Sequence, residues 1–428
     1  MPQRHKDTMV HQDYATIDNL GVPWSLGVLV AKKSGFKIVL FSIFNLTLMH
    51  MKIKYITLIV SLLLLMTFSV NAQESSEKIF QVKGFCISAP KPTGVDRFVK
   101  FINEELAPRE VNTLVLLVGY NYQYKSYPQL QDSGALSKKD VRKIVAACKK
   151  NNIRVIPDIN LIGHQSSGNK LNKLLTHFPQ FDETPHIQIP EKYVWPNKDN
   201  LYCKSYCPLH PDLHEVVFGV VDELCDVFEA DAFHAGMDEI FYLGDDKCPR
   251  CKGIDKAKLF ADEVTLVRNH LKEKNRELWI WADRLIDGRA TGVGFWEGSY
   301  NYTHRAIDMI PKDIVMCDWH YERPDQTAIY FAMNGFRVIT CPWRTPSTAI
   351  IQTDDMARWV KYATPEMKPR YYGMMQTCWT STEGFIDGFY GNISEKNQRA
   401  IHPKNSDYTP WDTFKAMYQR IDELEKEK

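Results

Sequence analysis

The sequence predicts a (β/α)₈ barrel, an α/β fold of one catalytic domain. Three observations carry this. Short apolar runs recur eight times, most of them near-continuous, as parallel strands buried on both faces require. Amphipathic helical stretches lie between them, and eight such alternations over about 350 residues fit a closed barrel. No glycine-rich phosphate loop follows the first strand, which weakens the rival, a doubly wound open sheet.

The strands are expected at Phe80–Ser88, Thr113–Tyr120, Arg154–Asn160, Ala232–Gly236, Glu277–Asp283, Ile314–His320, Phe336–Trp343 and Gly373–Trp379. Among the helices, Gly94–Leu106 places Val95, Phe98, Val99, Ile102 and Leu106 on one stripe. Ser137–Asn151 opens with a Ser N-cap and an Asp three residues on, then presents Val141, Ile144, Val145 and Cys148. His214–Phe228 and Ile254–Lys274 follow the same logic. The stretch Gln165–Asp212, after the third strand, is the largest loop excursion. No internal repeat or low-complexity tract interrupts the pattern.

Ahead of the barrel, residues 51–72 read as a secretory signal peptide. Lys52 and Lys54 precede an apolar run from Tyr55 to Phe68, and Val70-Asn71-Ala72 supplies a small-x-small cleavage pattern. The run is shorter than the roughly 20 residues a membrane span needs, so no stable span is expected after cleavage. A signal peptide begins a chain, so Met51 reads as the true start and residues 1–50 as a start-site extension. The domain then occupies residues 73–428, and a secreted or periplasmic location follows.

Composition narrows the function. The 428 residues are 25% charged and 44% hydrophobic with 22 Gly and 22 Pro, which excludes disordered, collagen-like and coiled-coil chains. Lys plus Arg number 53 and Asp plus Glu 52, so nothing points to nucleic acid. Ten Trp and 20 Tyr suit a binding surface of flat rings.

Functional residues of a barrel sit at the carboxyl ends of its strands. The fourth strand ends His234-Ala235-Gly236-Met237-Asp238-Glu239. Adjacent carboxylic acids there are expected to raise at least one pKa and keep a proton donor near neutral pH. Trp281, Trp319, Trp343 and Trp379 lie at or near the ends of the fifth to eighth strands, with Asp283 and Tyr321 close by. Indole faces pack on the C–H faces of sugar rings, so four of them at one barrel mouth suggest a pocket for a single pyranose.

These residues resemble glycoside hydrolase family 20, the β-N-acetylhexosaminidases. Residues 234–239 match the fixed positions of that family's His-x-Gly-x-Asp-Glu signature, and Asp158-Ile159-Asn160-Leu161-Ile162-Gly163-His164 is similar to its third-strand pattern. The resemblance runs through all eight strands and is nearest the shorter hexosaminidase D type. It implies a retaining hydrolase whose substrate is a glycan with a terminal N-acetylhexosamine and whose nucleophile is the substrate's own acetamido carbonyl, with no cofactor needed for catalysis. It implies Glu239 as general acid and base, Asp238 as the anion that steadies the acetamido group, and His164 and His234 as residues orienting this network. A family tyrosine that bonds the acetamido carbonyl corresponds to Tyr321 or Tyr120. Two departures stand out. Lys83 takes the place near the first strand of an Arg that holds sugar hydroxyls, and Trp379-Thr380-Ser381 replaces Trp-x-Glu, with Glu383 two residues late.

All ten cysteines follow residue 72. Cys86, Cys148, Cys225, Cys317, Cys341 and Cys378 lie within apolar patterns and read as buried thiols. Cys203-x₃-Cys207 and Cys248-x₂-Cys251 are paired. A structural Cys₄ zinc, disulfides and free thiols are all compatible with this spacing, and each of the first two would pin two loops beside the pocket.

Overall fold

The computed structural model describes residues 78–393 and 408–427. The leader and start-site expectations, residues 1–72, lie outside that range. Among the described residues no helix is long and apolar enough to cross a membrane.

Eight parallel strands close into a barrel in sequence order: β1 Val82–Ser88, β2 Thr113–Leu117, β3 Arg154–Leu161, β4 Ala232–Gly236, β5 Glu277–Trp281, β6 Val315–Trp319, β7 Arg337–Cys341 and β8 Tyr371–Cys378. β8 returns to pair with β1, Val82 opposite Gly373 through Ile87 opposite Cys378. Each expected strand is present. Several are shorter than expected because the apolar run continues into the turn, as at Ala282-Asp283 after β5, where Asp283–Leu285 coil into a 3₁₀ turn.

The apolar runs are continuous because each strand packs twice. Inside the barrel Val82, Cys86, Val115, Ile156, Ala232, Trp279, Val315, Cys317, Ile339, Cys341 and Met375 fill the interior. Alternate residues such as Phe85, Leu114, Leu116, Phe233, Ile280 and Val338 face the surrounding helices. All six cysteines expected as buried thiols are buried and free.

Half of the long outer helices start on a side-chain cap. α1 Val95–Phe101 runs on into a π-helical turn, Ile102–Leu106. α2 Lys138–Lys150 opens on a full capping box: Ser137 Oγ accepts from Asp140 N, and Asp140 Oδ2 accepts from Ser137 N at 3.0 Å. α3 Leu213–Phe228 follows the long loop, and α4 Lys256–Glu273 is capped by Asp255, whose carboxylate accepts from Ala257 N at 2.8 Å. α5 Thr327–Met333, α6 Pro346–Tyr362, α7 Thr382–Phe389 and α8 Pro410–Lys426 complete the outer layer. Between β5 and β6 there is no long helix; a four-residue helix, Gly288–Thr291, and a 3₁₀ turn, Thr303–Asp308, fill that place.

Lys83 does not approach the barrel mouth. It lies at the start of β1, buried, and its ammonium pairs with Glu110 and with Glu425 of α8 at 2.9 Å. The family's sugar-holding cation therefore has no counterpart at this position. Its burial costs solvation that the two carboxylates offset, so it ties α8 to the barrel's lower end.

Candidate active site

The site is built on the junction of β3 and β4. Their register runs from Asp158 opposite His234 to Leu161 opposite Gly236, so β3 carries one residue more than β4 across this span. A bulge of this kind bends the strand and re-aims its side chains. Beyond it the backbone is strained: Ile162, His164, Met237 and Glu239 all have positive φ, from 49° to 65°. Such conformations cost about 1–3 kcal/mol each and persist only where surrounding structure imposes them. Gly236, at φ +63°, is required outright, because a Cβ there would stand 2.5 Å from Asn160 Cγ.

That close approach brings Asn160 onto the acid pair. Asn160 Nδ2 donates to Asp238 Oδ1, and Asn160 Oδ1 accepts from Met237 N at 3.2 Å. His164 lies between the two acids, its Nε2 3.3 Å from Asp238 Oδ2 and 3.2 Å from Glu239 Oε2. Burial opposes a charge on His164, yet Asp238, Cys203 and Glu239 together hold its pKa well above the ordinary value. Burial likewise pushes Asp238 up, but His164 and Asn160 outweigh it and keep the carboxyl below its usual range. Of the pair expected to raise at least one pKa, Asp238 is lowered instead. The charge favoured on His164 in turn favours the anion of Asp238.

Asp283 is raised, pushed up to about 6 by burial and by the charge of Asp238, against the pull of Arg284; burial also raises Asp158. Asp283 Oδ2 accepts from Glu239 N at 3.0 Å, and its Oδ1 accepts from Trp319 Nε1 at 3.2 Å. It thus fastens the Glu239 backbone to the wall of indoles. His234 is fully buried beneath this layer, its Nδ1 2.8 Å from Asp158 Oδ2 and its ring 4.4 Å from that of Trp281. Despite burial, Asp158 and Cys317 push its pKa up to about 10.

Three of the four indoles meet at Tyr321, and the fourth, Trp281, reaches them through Trp379. Tyr321 stacks on Trp319 with ring centroids 4.9 Å apart, meets Trp343 edge-on at 5.3 Å, and accepts from Trp379 Nε1 at 2.8 Å. Trp379 also packs on Trp281 at 5.7 Å. Exposure divides the expected binding residues. His164, Tyr321 and Trp343 are half-buried and Trp379 is 39% exposed, whereas His234, Trp281 and Asp283 are at most 2% exposed and Trp319 is 7%. All of these were expected to bind substrate, and the last four are the more deeply buried. Tyr120 takes no part. It lies in the outer layer with Leu130, Leu174 and Val217, which leaves Tyr321 at the mouth. Glu383 is spent elsewhere, its carboxylate accepting from Lys91 N at 3.0 Å.

Sequence reasoning assigned no separate part to Asp158 and Asn160, although both stand in the third-strand pattern, nor any to a second aromatic group. Tyr202 from the long loop packs on His164 at 5.9 Å and on Trp296 at 4.6 Å, and Trp195 packs on Trp296 at 5.2 Å. Trp195, Phe241, Tyr242, Phe295 and Tyr300 line an adjacent cavity of about 420 Å³. The available signal was the aromatic density of the loops after the third and fifth strands, which a search confined to strand ends passes over.

Three groups of metal-ligating side chains converge among the described residues: Glu183, Cys207, Cys248 and Cys251; His164, Asp238 and Glu239; and Glu297, His320 and Asp325. The second is the acid network. In the third, burial opposes the charge on His320 but Asp318 and Glu297 push its pKa up to about 10. In the first, the expected four-cysteine set is corrected. Cys203 turns away from the other three: its Sγ accepts from His164 N at 3.4 Å and contacts Glu239 O at 3.6 Å. Glu183 stands in the fourth place.

The family model described as glycosyl hydrolase family 20, catalytic domain, matches residues 106–386. A β-hexosaminidase of Emericella nidulans is 28% identical over 200 residues, covering 43% of this chain and 29% of that protein. One of Vibrio furnissii is 23% identical over 291 residues, covering 61% and 43%. The matched segments thus span less than half the length of these relatives. Among solved structures, a Flavobacterium johnsoniae chitobiase superposes with a TM-score of 0.54 at 16% identity, covering 80% of this chain and 52% of that one, a likeness of fold.

Proposed function

Because the chain belongs to glycosyl hydrolase family 20, we propose that it is an exported, retaining β-N-acetylhexosaminidase. Its substrates are glycans ending in β-linked N-acetylglucosamine or N-acetylgalactosamine. The observation that carries the reading is His164 held between Asp238 and Glu239 beside the Tyr321–Trp343–Trp379 wall.

In the first step the acetamido carbonyl oxygen of the bound sugar bonds to the anomeric carbon while the glycosidic C–O bond breaks, and Glu239 gives its proton to the departing oxygen. Positive charge spreads over the resulting oxazolinium ring. Asp238, its anion favoured by His164 and Asn160, accepts from the acetamido N–H and steadies that charge. Glu239 then takes a proton from water, whose oxygen bonds to the anomeric carbon from the face the leaving group vacated. The acetamido group is restored and configuration retained. Tyr321 offers its hydroxyl to the carbonyl. Trp343 Nε1, buried without a hydrogen-bond partner, is a donor awaiting a sugar oxygen.

The reading calls for no cofactor in catalysis, since the substrate supplies the nucleophile. Export rests on the leader at residues 51–72 and gives a secreted or periplasmic enzyme. The competing reading, a carbohydrate-binding protein on a decayed barrel, is disfavoured by the intact acid network. The test is a hydrolysis screen of aryl β-glycosides with and without the 2-acetamido group. Only acetamido substrates should turn over, and a thiazoline mimic of the cyclic intermediate should inhibit more tightly than substrate binds. Equal turnover of plain β-glucosides or β-galactosides would sink the mechanism, and no turnover with intact sugar binding would favour the binding protein.

A further inference from the structure

The fourth place beside Cys207, Cys248 and Cys251 belongs to a carboxylate from a different part of the chain. One candidate ligand atom from each of Glu183, Cys207, Cys248 and Cys251 lies within 4.8 Å of all the others, and all four residues are buried. Cys207 Sγ is 3.6 Å from Cys248 Sγ and 3.4 Å from Cys251 Sγ. Two thiolates each about 2.3 Å from one tetrahedral centre stand about 3.8 Å apart, close to these separations and far above the roughly 2.05 Å of a disulfide.

Glu183 is the second, independent observation. It is fully buried; its Oε1 accepts from Asp245 N at 2.9 Å, and its carboxylate faces the sulfurs of Cys248 and Cys251. A buried carboxylate among three sulfurs is the donor set of a cation rather than of a disulfide. Three cysteines make one bridge at most, leaving a thiol over. Backbone N–H groups also point at the sulfurs, those of Arg250 and Cys251 at Cys248 and that of Leu209 at Cys207, as thiolate ligands require.

We propose that Glu183, Cys207, Cys248 and Cys251 bind a structural zinc ion that clips the loop after β3 to the loop after β4. Thiolate donors select zinc over magnesium or calcium, and four protein ligands leave no open position for chemistry. The clip has a consequence for the acid network. Cys207 lies four residues beyond Cys203, which holds the His164 backbone, and Cys248 lies nine beyond Glu239, so the ion steadies both ends of the His164–Glu239 contact from outside the pocket.

The test is metal analysis of the full chain purified without chelator. About one zinc per chain is expected, with X-ray absorption showing three sulfurs at about 2.3 Å and one oxygen near 2.0 Å. Cys203→Ser should retain the metal, while Cys248→Ser and Glu183→Gln should lose most of it. Chelation should lower the melting temperature of the wild type and leave that of any folded Cys248→Ser protein unchanged. If a variant fails to fold, the wild-type absorption spectrum decides. Protein that stays metal-free after reduction and incubation with zinc, a Cys207 disulfide found by peptide mass spectrometry, four sulfurs in the absorption spectrum, or loss of zinc from Cys203→Ser would each overturn the proposal. These readouts do not depend on glycosidase activity, so a zinc-loaded chain that cleaves no hexosaminide would leave this site standing and remove only the hydrolase reading.

Discussion

Replacing His164 by Gln leaves an N–H donor between the two acids and removes the positive charge. His164 Nε2 is 3.3 Å from Asp238 Oδ2. Unit charges at that separation attract by about 5 kcal/mol at an effective dielectric constant of about 20. The histidine side chain is 26% exposed, and screening by that solvent leaves about 2–3 kcal/mol. Without it, burial dominates and Asp238 binds its proton more readily. The sign follows: a carboxyl held low by a cation is anionic over most of the acid range, and losing the cation moves its protonation to higher pH. The acid limb of kcat/KM should therefore shift to higher pH, with the plateau at higher pH reduced far less than activity at pH 5. The assay is hydrolysis of an aryl β-N-acetylglucosaminide from pH 3.5 to 8 by wild type and His164→Gln, with circular dichroism to confirm the fold. An acid limb that stays where it was, with activity lowered evenly across pH, would show that His164 acts through geometry or hydrogen bonding and refute the electrostatic argument.

Glu239→Gln should slow substrates with poor leaving groups by roughly 10²–10⁴-fold and activated aryl substrates much less; equal loss for both would remove Glu239 as the acid. Asp283→Asn should abolish an ionisation near pH 6. Because the folded pKa of Asp283 exceeds its unfolded value, wild type loses stability from this group as pH rises through 4 to 6, and urea midpoints at pH 4.5 and 7 should show that difference shrink in the variant. Gly236→Ala forces a Cβ to 2.5 Å from Asn160 Cγ at φ +63° and should cost about 2 kcal/mol or more; an unchanged melting temperature would mean the β3–β4 junction is looser than described. Trp379→Ala should raise KM for acetamido substrates more than it lowers kcat, since the exposed indole meets the sugar in both ground and transition states, and a pure kcat effect would contradict its place as a binding wall.

Properties set by neighbours along the chain were legible without coordinates. Strand positions followed from apolar runs, the α2 start from Ser137 and Asp140, and the acid pair from residues 234–239, because hydrophobic period, capping and covalent spacing are local. The four indoles could also be grouped, since a barrel brings its strand ends to one mouth. Tertiary structure decided what depends on which distant groups share a small buried volume. His164 is 74 residues before Asp238, and only the bulge in β3 and the positive φ at both residues flanking the contact bring its imidazole between the acids and lower the pKa of Asp238. Lys83 stood out as a departure near the first strand, and only the structure shows that a side chain at a strand's start lies at the barrel's other end, where Glu110 and Glu425 take it. Cys203 and Cys207 looked like one pair, but the turn between them sends one sulfur to His164 and the other to Glu183, Cys248 and Cys251. Glu183 could not be found from the cysteine spacing, because its place is set by how the long loop folds back on itself and not by any interval in the sequence.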